Sequence, residues 1–194
     1  MPNWASTNYV FKGASEEQAK DLYEKIETLN QMTEPLEKSD FGRLWMGCLV
    51  TLLGGDWNHV YCRGEIIDYD LDGDHVSITC ETAWGEMPEF RHFLEQQYPG
   101  SKFYYCVEEC GNCVYATNDL EGLYFKDRYC LDYYDGIECF ETLEDVAEYV
   151  GDIIKKDLPP NYADIESAIE DYMEEHDNDD EHWMSFHEYE VLDD

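Results

Sequence analysis

The sequence predicts a mixed α+β fold, with a βαββαβ core over residues 1–118 and a hairpin, two helices and an acidic tail over residues 119–194. Three observations lead to this prediction. Apolar residues alternate with a period of two in some segments and recur with helical spacing in others. The stretch Arg63–Trp84 has the composition of a β-hairpin. The formal net charge is −34, and it is unevenly spread, since 15 acidic and no basic residues follow Lys156.

The hairpin is predicted to turn at Asp72–Gly73, because Gly accepts a positive φ without steric cost and Asp accepts it better than most residues. This loop would put the apolar pairs on one face and the polar pairs on the other, and a one-residue slip would mix them. The predicted apolar-face pairs are Leu71 with Asp74, Tyr69 with Val76 and Ile67 with Ile78. The predicted polar pairs are Asp70 with His75 and Asp68 with Ser77.

The same hairpin contains the first half of an EF-hand calcium loop, since residues 68–73 read Asp-x-Asp-x-Asp-Gly. The second half departs from that pattern, because the twelfth position is Thr79 rather than a bidentate Glu. The flanking residues also alternate with a period of two instead of following a helix. The sequence therefore favours a solvated acidic hairpin over a calcium site.

Before the hairpin, Trp4–Lys12 alternates as a strand, and Ser15 opens a capping-box pattern for a first helix. Ser39–Asp40 is predicted to cap an inserted second helix that runs to Leu53 and ends at Gly54–Gly55. Its apolar residues have helical spacing, which predicts a buried stripe rather than a ligand pocket. The stripe consists of Phe41, Leu44, Trp45, Cys48, Leu49, Leu52 and Leu53.

After the hairpin, Pro88 suits the first turn of a third helix, which Pro99–Gly100 stops. Lys102–Glu108 alternates as a strand, and a turn at Cys110–Cys113 leads into a last strand at Val114–Thr117. The order is strand, helix, inserted helix, strand, strand, helix, strand. Apart from the inserted helix, this is the βαββαβ order of a ferredoxin-like fold.

Several short motifs in this region also carry a family resemblance. They are Met1-Pro-Asn-Trp4 with Asn8 and Gly13, Glu81-Thr-Ala-Trp84, Pro88, Tyr98-Pro99 and Glu108-Glu-x-Gly111. In these motifs the chain resembles the YubB-type family of ferredoxin-like domains from plasmid, phage and conjugative-element proteins. It departs from that family in having Ala5 where a Cys is common, and in the inserted helix. The resemblance implies a fold without established chemistry or a known cofactor, and "ferredoxin-like" here does not mean an iron–sulfur protein.

Beyond Asn118 the resemblance stops and only the pattern guides the prediction. A second hairpin is predicted from Tyr124–Tyr134 and Ile137–Phe140, joined by Asp135–Gly136. Thr142 is predicted to cap one helix, and a second helix follows Pro159–Pro160. The predicted extent of that last helix is Asn161–His176, followed by an acidic tail, Asp177–Asp194.

Charge and composition exclude several function classes. The chain has 46 acidic and 12 basic residues, which disfavours direct binding to nucleic acid or to an anionic membrane. No stretch has the apolar length of a transmembrane helix, and the start Met-Pro-Asn-Trp lacks the features of a signal peptide. We therefore expect a cytoplasmic protein whose eight cysteines are reduced.

The strongest metal candidate is the spacing Cys106-x-x-x-Cys110-x-x-Cys113, since thiolates on a turn can bind zinc. It lacks a matching second pair, because Cys130 and Cys139 lie across the predicted hairpin, so buried or turn cysteines are the favoured interpretation. Three tail histidines could form a weak divalent-cation site, although solvated histidines are more common; they are His176, His182 and His187. No P-loop, GxGxxG, GxSxG or HExxH motif is present, so no catalytic residue, metal or cofactor is predicted.

The charge itself remains as the main functional signal. Glu166, Glu170 and Glu174 form a column with i, i+4, i+8 spacing, in which each pair destabilises the helix by about 0.2–0.5 kcal/mol. On charge alone a solubilising face is the favoured interpretation. The resemblance to mobile-element proteins, which benefit from blocking host nucleases, narrows the gap between that interpretation and a surface that imitates nucleic-acid phosphates. We therefore expect these residues to bind a basic protein partner, such as a nucleic-acid-binding enzyme.

Two alternatives stay open at this point. One is a metal-dependent or acid/base enzyme that uses the Cys106–Cys113 turn or an acidic cluster. The other is a structural module whose acidic face serves solubility alone.

Overall fold

The computed structural model describes residues 2–176 and 182–193, which divide into two compact units. The first unit contains the described residues up to Asp119 together with Leu192 and Asp193, and the second those from Leu120 to Val191. The sequence-based division fell after Asn118 and assigned Leu192 to the second part. Over the described residues the fold is mixed α+β, with five α-helices and two sheets. No helix in these ranges is long and apolar enough to span a membrane.

The first unit is built on five antiparallel strands in the order β2-β3-β1-β4-β5. Their bounds are β1 (Trp4–Lys12), β2 (Gly64–Asp72), β3 (His75–Ala83), β4 (Lys102–Glu109) and β5 (Val114–Thr117). The amide of Leu192 donates to the carbonyl of Thr117 at 2.8 Å, which fixes the end of the chain to this unit.

Three helices cover one face of this sheet: α1 (Glu16–Gln31), α2 (Met46–Leu52) and α3 (Pro88–Gln97). Side chains alternate along a strand, so only every second residue faces the helices. Those residues form the core together with the apolar stripes of the helices. Its largest almost fully buried apolar members are Tyr9, Phe11, Phe90, Phe103, Leu22, Ile26, Leu29, Met46, Leu49, Ile66 and Ile78.

The predicted inserted helix, Ser39–Leu53, is wrong over its first half, because α2 begins only at Met46. Gly42 has φ +87°, and Trp45 has extended backbone angles, φ −57° and ψ 132°, so the segment before Met46 is not helical. It joins the sheet instead. Trp45 forms a β-bridge with Glu65, and the carbonyl of Leu44 accepts from the amide of Ile66 at 2.9 Å.

The hairpin between β2 and β3 turns at Gly73–Asp74 instead of the predicted Asp72–Gly73. Only Gly73 of this pair has a positive φ, +59°, as in a type II′ turn with Gly at its first central position. The observed pairs include Asp72 with His75, Asp70 with Ser77, Leu71 with Val76 and Tyr69 with Ile78. The predicted pairs are therefore wrong by two residues, and a shift of two leaves each of these side chains on its predicted face.

A β-bulge at Ile67 interrupts β2, since the register shifts between Ile66 and Asp68. The extra residue points outward and Ile67 is 54% exposed, which overturns its predicted pairing with Ile78. The bulge also inverts the alternation of the residues before it. Ile66 is buried in the core, and Glu65 faces the other side of the sheet, directly opposite Glu81.

The second unit contains a three-stranded antiparallel sheet in the order β7-β6-β8. The strands are β6 (Tyr129–Tyr133), β7 (Gly136–Phe140) and β8 (Met184–Glu188), and a short strand, β9 (Glu190–Val191), follows. Its two helices are α4 (Leu143–Ile154) and α5 (Tyr162–Glu175). Each helix has a side-chain cap: Thr142 accepts from the amide of Asp145, and Asn161 from that of Asp164, both at 3.2 Å.

The core of this second unit lies between the sheet and its two helices. It consists of Leu131, Val146, Ala147, Val150, Ile154, Ile165, Ile169, Met184 and Phe186.

Two predictions for this unit are corrected. The hairpin starts at Tyr129 and turns at Tyr134–Asp135, because Gly136 already pairs with Tyr133. The predicted acidic tail is wrong at Met184–Glu188, which forms β8 against β6. Met184 and Phe186 are buried in alternation with Ser185 and His187, so this segment belongs to a core. The first five residues of the predicted tail, 177–181, lie outside the described residues.

Candidate functional site

The predicted acidic column lies on the outer side of α5. Glu166, Glu170 and Glu174 are all exposed, whereas Ile165 and Ile169 on the same helix are buried in the core. No Lys, Arg or His of the described chain lies within 4 Å of these carboxylates. The column is therefore a solvent-facing row of negative charge on a capped helix.

A second column with the same spacing lies on α4 and was missed by the sequence analysis. Glu144, Glu148 and Asp152 are exposed and line an open cavity of about 580 Å³. Lys155 and Lys156 line the same cavity. The α4 column thus differs from the α5 column in having positive charge beside it.

The structure divides the three cysteines of this spacing between the core and the surface. Cys106 is buried in β4, whereas Cys110 and Cys113 are exposed on the following turn. Glu109 holds this turn, because its carboxylate accepts from the amides of Gly111 at 2.8 Å and Asn112 at 3.0 Å. Across residues 2–176 and 182–193, no group of three or more His, Cys, Asp or Glu side chains is placed to hold a metal ion.

The three tail histidines are only partly brought together. The rings of His176 and His182 stack with centroids 4.2 Å apart, beside Tyr172. His187 lies on β8, where its Nε2 is 2.8 Å from the hydroxyl of Ser185, and burial lowers its pKa. Neither the stacked pair nor His187 belongs to a group of metal ligands in the described ranges.

A buried ion pair lies inside the first unit. Arg91 is 1% exposed, and its Nε donates to Oε1 of Glu86 at 3.2 Å. The hydroxyl of Tyr9 donates to the same oxygen at 3.1 Å and accepts from the amide of Met87 at 3.1 Å. Burial, followed by the charge of Glu86, raises the pKa of Tyr9 well above its ordinary value. These groups are shielded from solvent, so removing one partner of the pair would be costly.

A row of aromatic rings in the first unit includes exposed Trp4 and buried Trp45. Trp4 contacts the edge of Phe41 with centroids 5.8 Å apart, Phe41 stacks on Trp45 at 6.2 Å, and Trp45 meets Trp57 at 5.0 Å. The indole Nε1 of Trp45 donates to the carbonyl of Cys62 at 3.0 Å, which fixes the middle of the row. Two cavities adjoin these rings, and Phe41 and Arg63 line both of them. We call the two cavities together the aromatic groove.

The acidic end of the aromatic groove has a volume of about 360 Å³ and is lined by Trp4, Asp40, Phe41, Arg63, Glu65 and Glu81. Glu65 and Glu81 are directly opposite each other on β2 and β3. Burial raises the pKa of Glu65, and the charge of Glu81 raises it further. No described cation lies within 4 Å of these carboxylates, so their repulsion is not neutralised by an ion pair.

The other end of the groove is mainly apolar and has a volume of about 420 Å³. Its walls include Trp45, Trp57, Val60 and Tyr61. Glu89 closes one side, where its carboxylate accepts from the amide of Tyr61 at 2.6 Å. The groove therefore joins an apolar compartment to an anionic one.

Comparison with known proteins adds no relative from which a role could be transferred, since no family model, no curated protein and no solved structure matches this chain. The candidate sites are therefore judged from their own geometry.

Proposed function

We propose that this protein is a non-enzymatic accessory protein that binds a basic protein partner, with Glu166, Glu170 and Glu174 as contact residues. The observation that carries the proposal is the α5 column, which is exposed and has no described cation within ion-pair distance. Buried Ile165 and Ile169 hold the helix in place, so the column is presented on an ordered element.

Electrostatics explains how such a surface would act. Carboxylates four residues apart are about 6 Å apart along a helix axis, so they form a short linear array of charge. The array favours association with a positive groove and speeds diffusional encounter at low salt. A nucleic-acid-binding enzyme offers such a groove, and the carboxylates would occupy it in place of phosphates.

We also propose a fold and family for the first unit, namely a ferredoxin-like core of the YubB type. The strand order β2-β3-β1-β4, with α1 after β1 and α3 after β3, supports this assignment. The resembling motifs lie at corresponding joints, since Glu81–Trp84 ends β3 and Glu108–Gly111 ends β4. We also propose a cytoplasmic location, in keeping with the expectation that the eight cysteines are reduced.

The test compares two triple variants in binding to a partner captured from the native host. Glu166→Gln/Glu170→Gln/Glu174→Gln removes the α5 column, and Glu144→Gln/Glu148→Gln/Asp152→Asn removes the same charge from α4. We expect the α5 variant to weaken binding by about tenfold at low salt, with the difference shrinking as salt screens the charges. The α4 variant should bind nearly as wild type does.

Two outcomes would contradict the proposal. If the α5 variant binds as tightly as wild type at low salt, the column serves solubility alone. If both variants lose affinity equally, net charge and not α5 controls binding.

A further inference from the structure

We propose that the acidic end of the aromatic groove is a binding pocket for an arginine side chain presented by a protein partner. This pocket lies in the first unit and shares no residue with the α5 column, so the inference does not rest on the proposed role of α5. Its contact residues are the rings of Trp4 and Phe41 and the carboxylates of Asp40, Glu65 and Glu81.

The pocket carries an excess of negative charge. Three carboxylates and one guanidinium, that of Arg63, line the pocket, which leaves a formal excess of two negative charges. Like charges directly opposite each other on neighbouring strands are unfavourable, and this is the arrangement of Glu65 and Glu81. Because no described cation forms an ion pair with them, a cation supplied by a ligand would relieve the repulsion.

One wall of the pocket is aromatic and is formed by Trp4 and Phe41. Trp4 is 45% exposed, although most large apolar side chains of the first unit are buried. Phe41 supports it from the side, with an interplanar angle of 85° between the rings. A Trp face beside carboxylates suits a guanidinium, which stacks on aromatic rings and donates two parallel hydrogen bonds to a carboxylate.

The walls of the pocket are held in place before a ligand binds, and a preformed site loses less binding free energy on ordering its walls. Glu65 and Glu81 lie on paired strands, and Glu81 also pairs with Ser6 of β1. The loop that carries Asp40 and Phe41 is fastened to β2 through the Trp45–Glu65 bridge and the hydrogen bond from Ile66 to Leu44. The charged and aromatic walls are thus held by backbone pairing.

The chemistry of the lining also separates an arginine side chain from other ligands. A bare metal ion does not need aromatic walls, and these carboxylates are not placed as a group of metal ligands. A phosphate-bearing ligand would be repelled by the excess negative charge. The adjoining apolar end, about 420 Å³, gives room for an apolar residue next to the arginine in the partner's sequence.

The experiment uses the full chain and a small probe, N-acetyl-arginine amide, titrated at constant ionic strength. Binding is followed by tryptophan indole N–H shifts in NMR spectra. N-acetyl-citrulline amide, which has nearly the same shape without the charge, and N-acetyl-lysine amide are the reference probes. We expect saturable binding of the arginine probe, with at least about tenfold weaker binding of the other two.

Matched variants locate the site. Glu65→Gln/Glu81→Gln should weaken binding of the arginine probe by about tenfold, and Trp4→Leu should also weaken it. Asp68→Asn/Asp70→Asn removes the same charge from exposed positions of β2 outside the pocket and should bind as wild type does. The α5 triple variant should also bind the probe normally, so this proposal and the α5 proposal can fail separately.

Three results would overturn the inference. Equal binding of the citrulline probe would show that charge is not recognised, and equal binding of the lysine probe would remove the assignment to arginine. Unchanged binding in the Glu65→Gln/Glu81→Gln variant, with its fold verified by circular dichroism, would place the probe elsewhere.

Discussion

The acidic residues of the two units are arranged differently. In the second unit, Glu166, Glu170 and Glu174 project from one helix into solvent. In the first unit, Glu65 and Glu81 approach each other from two strands beside exposed Trp4. A solvated column produces a field that acts over about a Debye length, whereas two carboxylates that face each other next to a ring can recognise one chemical group. Carboxylates with the same formal charge therefore suit steering in one place and selective binding in the other.

Glu86 provides a third setting within the first unit. Its side chain is 8% exposed and pairs with Arg91, which is 1% exposed, and Tyr9 completes the hydrogen bonding. Here the negative charge is neutralised and hidden, so it contributes to the fold and not to recognition. Burial and pairing, more than the number of acidic residues, distinguish the three settings.

The largest expected effect comes from breaking the buried pair. Glu86→Gln should destabilise the protein by about 3 kcal/mol, because it removes the carboxylate charge that the buried guanidinium of Arg91 contacts. Urea denaturation followed by far-UV circular dichroism measures the change. The double variant Glu86→Gln/Arg91→Met should recover part of the loss, and an unchanged midpoint for the single variant would refute the role of this pair.

The second largest loss of stability is expected at the turn of the hairpin that carries the Glu65–Glu81 pair. Gly73→Val should destabilise by about 1–3 kcal/mol, since a β-branched residue resists the observed φ of +59°. Gly73→Asn is the matched control and should lose less, because Asn accepts a positive φ more readily. The melting temperature measures both. Equal losses for the two variants would mean that backbone strain at Gly73 is not the cause.

The contrast between the two regions also explains what the sequence could reveal. The α5 column and the cap Thr142 depend on spacing within one helix, so the sequence alone located them, whereas Asn161, predicted as the first residue of its helix, is the cap of that helix. Strand β8 escaped prediction because its partner, β6, lies about 55 residues earlier, and acidic neighbours masked the alternation of Met184 and Phe186.

The Glu65–Glu81 pair escaped prediction for two linked reasons. The expected turn at Asp72–Gly73, without a bulge, pairs Glu65 with Cys80 and turns its side chain toward the core. The bulge at Ile67 reverses that orientation, and no local signal marks it.

Phe41 was assigned to a helical stripe, because its neighbours have helical spacing and the β-bridge of Trp45 with Glu65 is not visible from local pattern. The groove thus depends on contacts between residues distant in sequence.

A smaller effect concerns the cross-strand pair itself. Glu65→Gln should stabilise the protein at pH 7 by about 0.5 kcal/mol, because it removes a like-charge contact. The folded state raises the pKa of Glu65, so ionisation of this carboxyl group lowers the stability of the folded protein. This loss of stability disappears as the pH falls through the raised pKa toward the ordinary Glu value of about 4.3. The advantage of the variant should therefore vanish in acid. A gain that persists at pH 4 would contradict the electrostatic explanation.

The smallest expected effect is that of the α5 column on stability. Glu166→Gln/Glu170→Gln/Glu174→Gln relieves two like-charge pairs, each worth about 0.2–0.5 kcal/mol, so the variant should be slightly more stable than wild type. The gain should shrink with added salt, because the three side chains are exposed.

The α4 variant Glu144→Gln/Glu148→Gln/Asp152→Asn is the comparison. Glu144 lies in the first turn of α4, where a negative charge interacts favourably with the helix dipole, and Lys155 and Lys156 lie near the end of that column. Removing the α4 charges should therefore stabilise less, or destabilise slightly. Thermal melts of both variants at low and high salt measure the difference, and an equal gain in the two would mean that only the overall charge of −34 opposes folding.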